Sequence, residues 1–581
     1  MREYKRNYRA KKKAARLPAA DWFLSMSCLS LSEAEKIGHG ACSGWAVTSR
    51  ALTLTGDDIG AFFDFLSKID KKSNIYLCNL KVWGRFIIAE AKVRAFRASE
   101  TCDKAQTFRV LVDNYGSWLS IQINVAGQKV FIKDFSGIIK TGIRDAALSF
   151  CDYELKEDAS NVDIANAMKL VFERFNDEIE AIFGVKIKAS TIASYAKRAL
   201  YSLYGQGCLS YGEARFKSDF PELPREIMDD IRNAKCYRSG LNYMPESSRG
   251  YSGAGYMYDR RSFYPWIYSN FAMPYGQAFK RDYEDVIKKR KAMQDNVLGD
   301  CFDDFYYCIY NIFELSATLK PAGVPCIQII NKTGTQYLKN IDFADPVCFM
   351  LDTYDLKALY ENYDVELITI DYVYIFKRKI IEPLRDFGKR LYKIKEEKKG
   401  EARSVVAKYL INSITGQFGA NSYRRETVIE NGQYKRSELK YCGETGYLPV
   451  AMCINSIGRW LMARDIRHAG LDNYLYGDTD SIITREPAHL AAAGREMGQY
   501  DGRTFTDSVF LMQKCYGLNL TGSGWRWVVS GANPEMLQDL SKNEFYAGAK
   551  LKGGCVPHVY PDLTFAFEER EFTLASQMIM F

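Results

Sequence analysis

Asp478 and Asp480 stand two residues apart in the run Leu475-Tyr476-Gly477-Asp478-Thr479-Asp480-Ser481-Ile482-Ile483-Thr484, with apolar or aromatic side chains on both sides of the acids. The pattern predicts two short strands joined by a tight turn, with carboxylates at its tip. Residues i and i+2 of an extended chain point the same way, so both acids are expected on one side. Carboxylate oxygens suit hard divalent cations. A pair of such ions can hold the attacking and the leaving oxygen of a phosphoryl transfer. A merely solvated acidic turn would use the same residues, so the decision rests on what else the chain brings to it.

Two further segments offer matching chemistry. In Tyr256-Met257-Tyr258-Asp259-Arg260-Arg261-Ser262-Phe263-Tyr264-Pro265 an aromatic strand ends at Asp259 and a turn into a helix follows. A strand-end carboxylate can serve as a third metal ligand, and Asp is also a common helix N-cap. In residues 402–419 the apolar positions 405, 406, 410, 411 and 414 mark one helical face. Lys408, Asn412 and Thr415, at i, i+4 and i+7, are expected to share another. A Lys on a helix is a point charge suited to a triphosphate, and Arg403, Lys393 and Lys395 lie close upstream. A solvated polar face would look the same. Lys514-Cys515-Tyr516, basic and aromatic, is a weaker nucleic-acid signal.

The elements that must position these residues are those of a large chain. With 581 residues, 47% hydrophobic and 14% aromatic, several packed domains are expected. The chain has no run of about 18 apolar residues and no apolar stretch after its basic N-terminus, so a soluble intracellular protein, without membrane partners, is expected. The fifteen cysteines are scattered without a Cys-x-x-Cys and accompany only four histidines, which fits reduced thiols rather than a zinc module. The net charge is +8, of which +7 lies in residues 1–16. That tail reads as a flexible arm able to touch phosphates without sequence preference. Residues 21–200 mix strand-like runs (75–78, 130–132) with a periodic helix over 162–183. Residues 421–446 contain a Glu430-Asn431-Gly432 turn typical of a hairpin.

Taken in order, the three segments resemble motifs A, B and C of the family B DNA polymerases. Motif A is matched by Asp259, Ser262, Phe263, Tyr264 and Pro265, motif B by Lys408, Asn412, Ser413 and Gly416, and motif C in full by Tyr476 to Ser481. The resemblance is to the protein-primed branch of bacteriophages and linear plasmids. Lys514 and Tyr516 match its primer-contacting Lys-x-Tyr. Tyr237-Arg238-Ser239-Gly240 resembles its template-binding Tyr-x-Gly-Gly, with Tyr237 and Gly240 retained.

What the resemblance implies is a multidomain α/β and α+β fold, a right-hand polymerase preceded by an RNase H-like exonuclease-type domain. The divisions it implies are a basic tail (1–20), the exonuclease-like domain (21–200), palm (201–325 and 447–535), two insertions (326–383 and 421–446), fingers (384–420) and thumb (536–581). It implies a monomeric, DNA-directed DNA polymerase of a virus or plasmid. Its partners are template and primer DNA, dNTPs and a terminal priming protein. Its cofactor is Mg²⁺, two ions, with Mn²⁺ as a substitute. Asp259 and Asp480 would be the principal metal ligands and Asp478 a supporting one. Lys408 would hold phosphate, with Arg403, Lys393 and Lys395 as weaker candidates. Asn412 would line the nucleotide pocket, Tyr264 would exclude a 2′-hydroxyl, and Tyr476 and Ser481 would shape the primer terminus. The competing readings are an RNA-directed or untemplated polymerase and a catalytically idle DNA-binding protein.

The departures from the family pattern are as specific as the matches. Trp83, in Asn79-Leu80-Lys81-Val82-Trp83-Gly84, stands where an exonuclease Asp belongs. Asn161 and Glu157 replace an expected Asp and Tyr, and residues 22–32 contain no acid. Two metals cannot be kept on Trp and Asn, so loss of 3′→5′ proofreading is expected. Asp163 is the one acid that a shifted register would bring to such a site. Thr415 stands where the branch usually has a Tyr that packs on the nascent base pair, which points to looser base selection.

Overall fold

In this computed structural model, residues 17–575 are described apart from 18, 38–39, 71–72, 100, 113–116, 283–304, 332–333, 344–348, 421–422, 425–426, 431–432, 437–439, 442–445, 491–493, 533 and 561–563. The basic tail over 1–16 therefore lies outside the described residues, as does the Asn431-Gly432 turn.

A central strand, Asp21–Cys28, alternates its side chains between two cores. Trp22 and Leu24 enter one core with Phe62, Leu66 and Ile87. Phe23 enters the other with Tyr76, Phe172 and Phe175. Strand Asp21–Cys28 runs parallel to Asn74–Leu77, and that strand parallel to Gln128–Asp134. Antiparallel neighbours widen the sheet on both sides. The stretch with helical period is a helix over Asn161–Phe183. Its start is fixed by a capping box in which the Ser160 hydroxyl accepts from the Asp163 amide and the Asp163 carboxylate accepts from Ser160.

The second body is built on a seven-stranded sheet. Its order is Gly524–Val529, Cys515–Leu520, Tyr500–Met512, Gly255–Arg260, Ser481–Thr484, Tyr474–Asp478 and Asn242–Tyr243. Helix Leu448–Ala469 is buried along most of its length. Its Arg459 makes a bidentate pair with buried Asp355 at 2.7 and 2.8 Å and donates to the carbonyls of Arg238 and Ser239. A helical hairpin follows, Glu382–Glu397 and Ala402–Phe418.

A five-stranded antiparallel sheet is inserted before that hairpin. The expected boundary at 326 passes through it, because strand Tyr306–Leu319 pairs with Tyr363–Lys379 along its length and Met273–Asp282 pairs on the other side. Sequence reading missed this because the pairing is non-local. Within residues 421–446, Thr427–Glu430 pairs with Gln433–Arg436, with Glu430 opposite Gln433. Thr427 also pairs with Val110 of the first sheet, which joins the two bodies. A C-terminal hairpin, Lys550–Val559 and Phe565–Thr573, ends the described chain.

Candidate active site

The three acids converge through strand register. Asp259 lies opposite Ser481 on the neighbouring strand, and Asp478 lies opposite Ser481 across the hairpin. Asp480 falls in the turn. Thr479 takes a left-handed backbone (φ 62°) and its amide donates to the Leu241 carbonyl at 2.7 Å, while the Arg260 amide donates to the Asp480 carbonyl at 2.8 Å. Asp480 therefore lies in a turn and not on an extended chain with Asp478, because the left-handed Thr479 interrupts the strand, although the charge of Asp478 still acts on Asp480.

The two acids have different partners. Asp478 accepts from Thr479 Oγ1 at 3.0 Å and from the Tyr476 hydroxyl at 3.4 Å, and its carboxylate lies 3.6 Å from Lys514 Nζ. Asp480 is paired by no cation among the described residues. Enclosure in the cleft, then the charge of Asp259, then that of Asp478 raise its carboxyl pKa to about 7. Asp259 is also raised, first by enclosure, although its side chain still opens to solvent. Asp501, directly across from Asp259, adds repulsion but is paired with Arg261 at 3.1 Å. Among the described residues no group of three or more His, Cys, Asp or Glu is arranged around one point. Asp259 and Asp480 form the unpaired couple, and Asp478 is held by Lys514. A repelling, partly enclosed pair of oxygen donors fits divalent cations, which would remove the repulsion.

Cations approach from the helical hairpin and from the sheet. Lys395 Nζ donates to the Ser262 hydroxyl at 3.0 Å, at a turn where Ser262 itself has φ 46°. Lys395 has its pKa lowered by burial and also feels the charge of Lys408, so the two ammoniums lie near one another. Arg503 and Arg526, which sequence reading did not single out, lower the pKa of Asp259 by their charge. Their only sequence signal is the strand alternation beside Lys514 and Tyr516.

Not every expected cation arrives. Arg403 is engaged by the buried Glu178 at 2.5 Å, and Lys393 faces Glu397 on its own helix. On helix Ala402–Phe418, Lys408, Asn412 and Gly416 are exposed. Thr415 is 7% exposed and its hydroxyl has no hydrogen-bond partner, so it does not share their open face.

Tight packing shapes the floor. A Cβ on Gly240 would lie 2.8 Å from the Tyr264 hydroxyl and 2.9 Å from Thr479 Cγ2, so glycine lets the Tyr237–Gly240 segment touch both motifs. Tyr237 packs on Gly419 at the end of the helix. Tyr476 donates to Asn242 Oδ1 at 3.1 Å and its ring lies 5.0 Å from that of Tyr516. The Lys514 amide donates to the Tyr476 hydroxyl at 3.3 Å. The Ser481 hydroxyl donates to the Asp478 carbonyl.

In the N-terminal body, Asn161 belongs to a neutral network. Ser25 Oγ donates to Asn161 Oδ1 at 2.7 Å, and Asn161 Nδ2 donates to Ser27 Oγ at 3.1 Å. Asp163 is not available to this network, because it is the acid of the helix capping box.

Residues 152–481 match the family model described as DNA polymerase type B, organellar and viral. The DNA polymerase of Streptococcus phage Cp-1 is 25% identical over 360 residues, which covers 58% of this chain and 60% of that relative's length. In fold the chain is similar to Phi29 DNA polymerase in its complex with primer-template DNA and incoming nucleotides, with a TM-score of 0.80 at 19% identity over 96% of this chain and 100% of the other. The Phi29 enzyme with single-stranded DNA gives a TM-score of 0.79 at 20% identity, also over 96% of this chain and 100% of the other. The fold is thus the right-hand, family B one with an exonuclease-type domain. No helix among the described residues is long and apolar enough to cross a membrane.

Proposed function

The chain belongs to the type B DNA polymerases of organelles and viruses, and from that membership we propose that it copies a DNA template by adding dNTPs to a 3′-hydroxyl or, at the first step, to a hydroxyl of a priming protein. The observation that carries the reading is the unpaired couple of Asp259, at a strand end, and Asp480, in the adjoining turn, with Lys395 near enough to act on Asp259 and Lys408 near Lys395. Mg²⁺ ions on Asp259 and Asp480, with Asp478 in support, would lower the pKa of the attacking hydroxyl and offset charge on the leaving pyrophosphate. Mn²⁺ suits the same oxygens.

Lys408 and Lys395 hold the triphosphate by charge, and Asn412 borders the nucleotide. Tyr264, against Gly240 and Gly458, forms a floor with no room for a 2′-hydroxyl. Lys514 and Tyr516 meet the primer strand, and the segment from Tyr237 to Gly240 meets the template. The neutral Ser25–Asn161–Ser27 network replaces the charge that a nuclease needs, so the enzyme extends DNA without 3′→5′ proofreading. A viral or plasmid genome and a terminal priming protein follow from the same family reading.

One assay tests this. Purified protein, Mg²⁺ and labelled dNTPs are combined with primed DNA, primed RNA template, or no template, and with Asp480→Asn in parallel. Extension on primed DNA by the wild type, lost in the variant, is expected. Binding of DNA without extension would favour the idle-protein reading instead.

A further inference from the structure

The C-terminal strand Phe565–Thr573 has two different ends. At its start, Phe565 is fully buried and belongs to the core of the N-terminal body. Its ring lies 4.8 Å from Phe86 and 5.6 Å from Trp83, and the Phe567 ring lies 5.9 Å from Trp83. Phe565 and Phe567 also meet edge to face at 5.2 Å. The four rings form one cluster between helix Leu80–Val93 and this strand. The backbone seals it: the Gly40 amide donates to Thr564 Oγ1 at 2.9 Å, and a Cβ on Gly40 would sit 2.1 Å from the Phe565 carbonyl oxygen.

The other end of the strand faces DNA chemistry. Phe572 and Thr573 line a cavity of about 450 Å³ together with Ser239, Asn242 and Lys514. Lys514 is the cation beside Asp478. Phe572 lies five positions beyond Phe567 along the strand, roughly 16 Å. A single rigid element therefore runs from the aromatic cluster to the edge of the catalytic cleft.

Trp83 sits in the first turn of the helix that follows strand Asn74–Leu77, beyond the carboxyl ends of the parallel strands. Ser25 and Ser27 occupy the same end of the neighbouring strand, and Asn161, at the start of its helix, hydrogen-bonds to both. A metal-holding cleft there would need charge and open space. This chain puts an indole and the C-terminal hairpin at that side instead.

We propose that the disused nuclease side has become the anchor of a groove wall: Trp83 is a positioning residue that, through Phe565 and Phe567, fixes the C-terminal strand where Phe572 and Thr573 hold the primer duplex beside Lys514. The inference rests on the polymerase reading for the identity of the DNA, and on the ring cluster for the anchor.

The test uses the full chain with a fluorescent primer-template. Dissociation is followed in Ca²⁺ against excess competitor, product length per binding event with a trap, and single-nucleotide insertion at saturating dNTP. Trp83→Ala is expected to speed dissociation at least about fivefold and to shorten products in proportion. Insertion on bound DNA should stay within about twofold of wild type. Trp83→Phe, which keeps a ring, should restore most of the loss. Phe567→Ala, at the partly exposed flank of the cluster, should reproduce the effect and decides the matter if Trp83→Ala does not fold. Wild-type dissociation in both alanine variants overturns the proposal, as does a Phe variant no better than Ala. A wild type that extends no primer sinks the polymerase reading alone, since the dissociation comparison still judges the anchor.

Discussion

Asp480 shows what the active centre costs the fold. Its carboxyl titrates at about 7 when folded, against an ordinary value near 4 when unfolded. The folded state binds this proton more tightly, so the group favours folding at low pH and that advantage is lost as pH rises from about 4 to about 7. Asp480→Asn removes the repulsion. In EDTA at pH 8 the variant should be more stable than wild type by on the order of 1–4 kcal/mol, with the gap shrunk to about a third at pH 5. On the proposed two-metal reading its primer extension should fall by about a thousandfold or more, since one of the proposed ligands loses its charge. Calorimetry at the two pH values and an extension assay check both halves, and a destabilised variant at pH 8 would refute the pairing with Asp259. Lys395 and Arg403 make a second contrast. Lys395→Ala should raise the KM for dNTPs, because its ammonium sits at the Ser262 turn. Arg403→Ala should leave KM alone and cost about 1 kcal/mol of stability, because Arg403 serves Glu178. Sequence alone ranked these two equally. Both are basic and near Lys408, and only the fold decides which faces the cleft.

Among elements, those with strong local signals were legible. The motif hairpin follows from apolar runs flanking a turn, and the helix over Asn161–Phe183 from its period. What could not be read was how neighbours close over an element. Thr415 lies at the boundary of two helix faces, and the C-terminal turn of its helix is covered where Tyr237 packs on Gly419. Its buried hydroxyl supplies no stacking ring, so Thr415→Tyr should either tighten base selection or, if the pocket cannot open, reduce insertion. A misincorporation assay beside single-nucleotide kinetics separates the two, and an enzyme unchanged in both would show that Thr415 lies outside the base-pair pocket. Asp163 is the converse case. Its sequence position left a nuclease role open, and the fold spends it on a cap. Asp163→Ala should lower stability by roughly 0.5–1 kcal/mol and leave primer processing unchanged.

For the whole molecule, the fold class was legible from three motifs in order, whereas the connections between bodies were not. The sheet that spans the first insertion, the pairing of Thr427 with Val110 and the seam at Gly40 all join residues far apart in sequence. No local pattern encodes such contacts. The N-terminal body keeps its sheet and both cores while Ser25, Ser27 and Asn161 form a neutral network. Purified wild-type protein should therefore show no trimming of a mismatched primer terminus in Mg²⁺ or Mn²⁺ over times that permit full extension. A ladder of shortened primers would overturn the reading of that domain.

The seam between Gly40 and Thr564 joins residues 524 positions apart. At about 5–20 residues per second on the ribosome, the first partner waits roughly half a minute to two minutes for the second to be made. Through that interval Phe86 and Trp83 have no Phe565 to cover them, and a nascent chain displays a bare aromatic patch. A strand made long after the N-terminal body is thus the one that covers its aromatic patch, and chains that terminate before it should be captured by holdase chaperones at that patch.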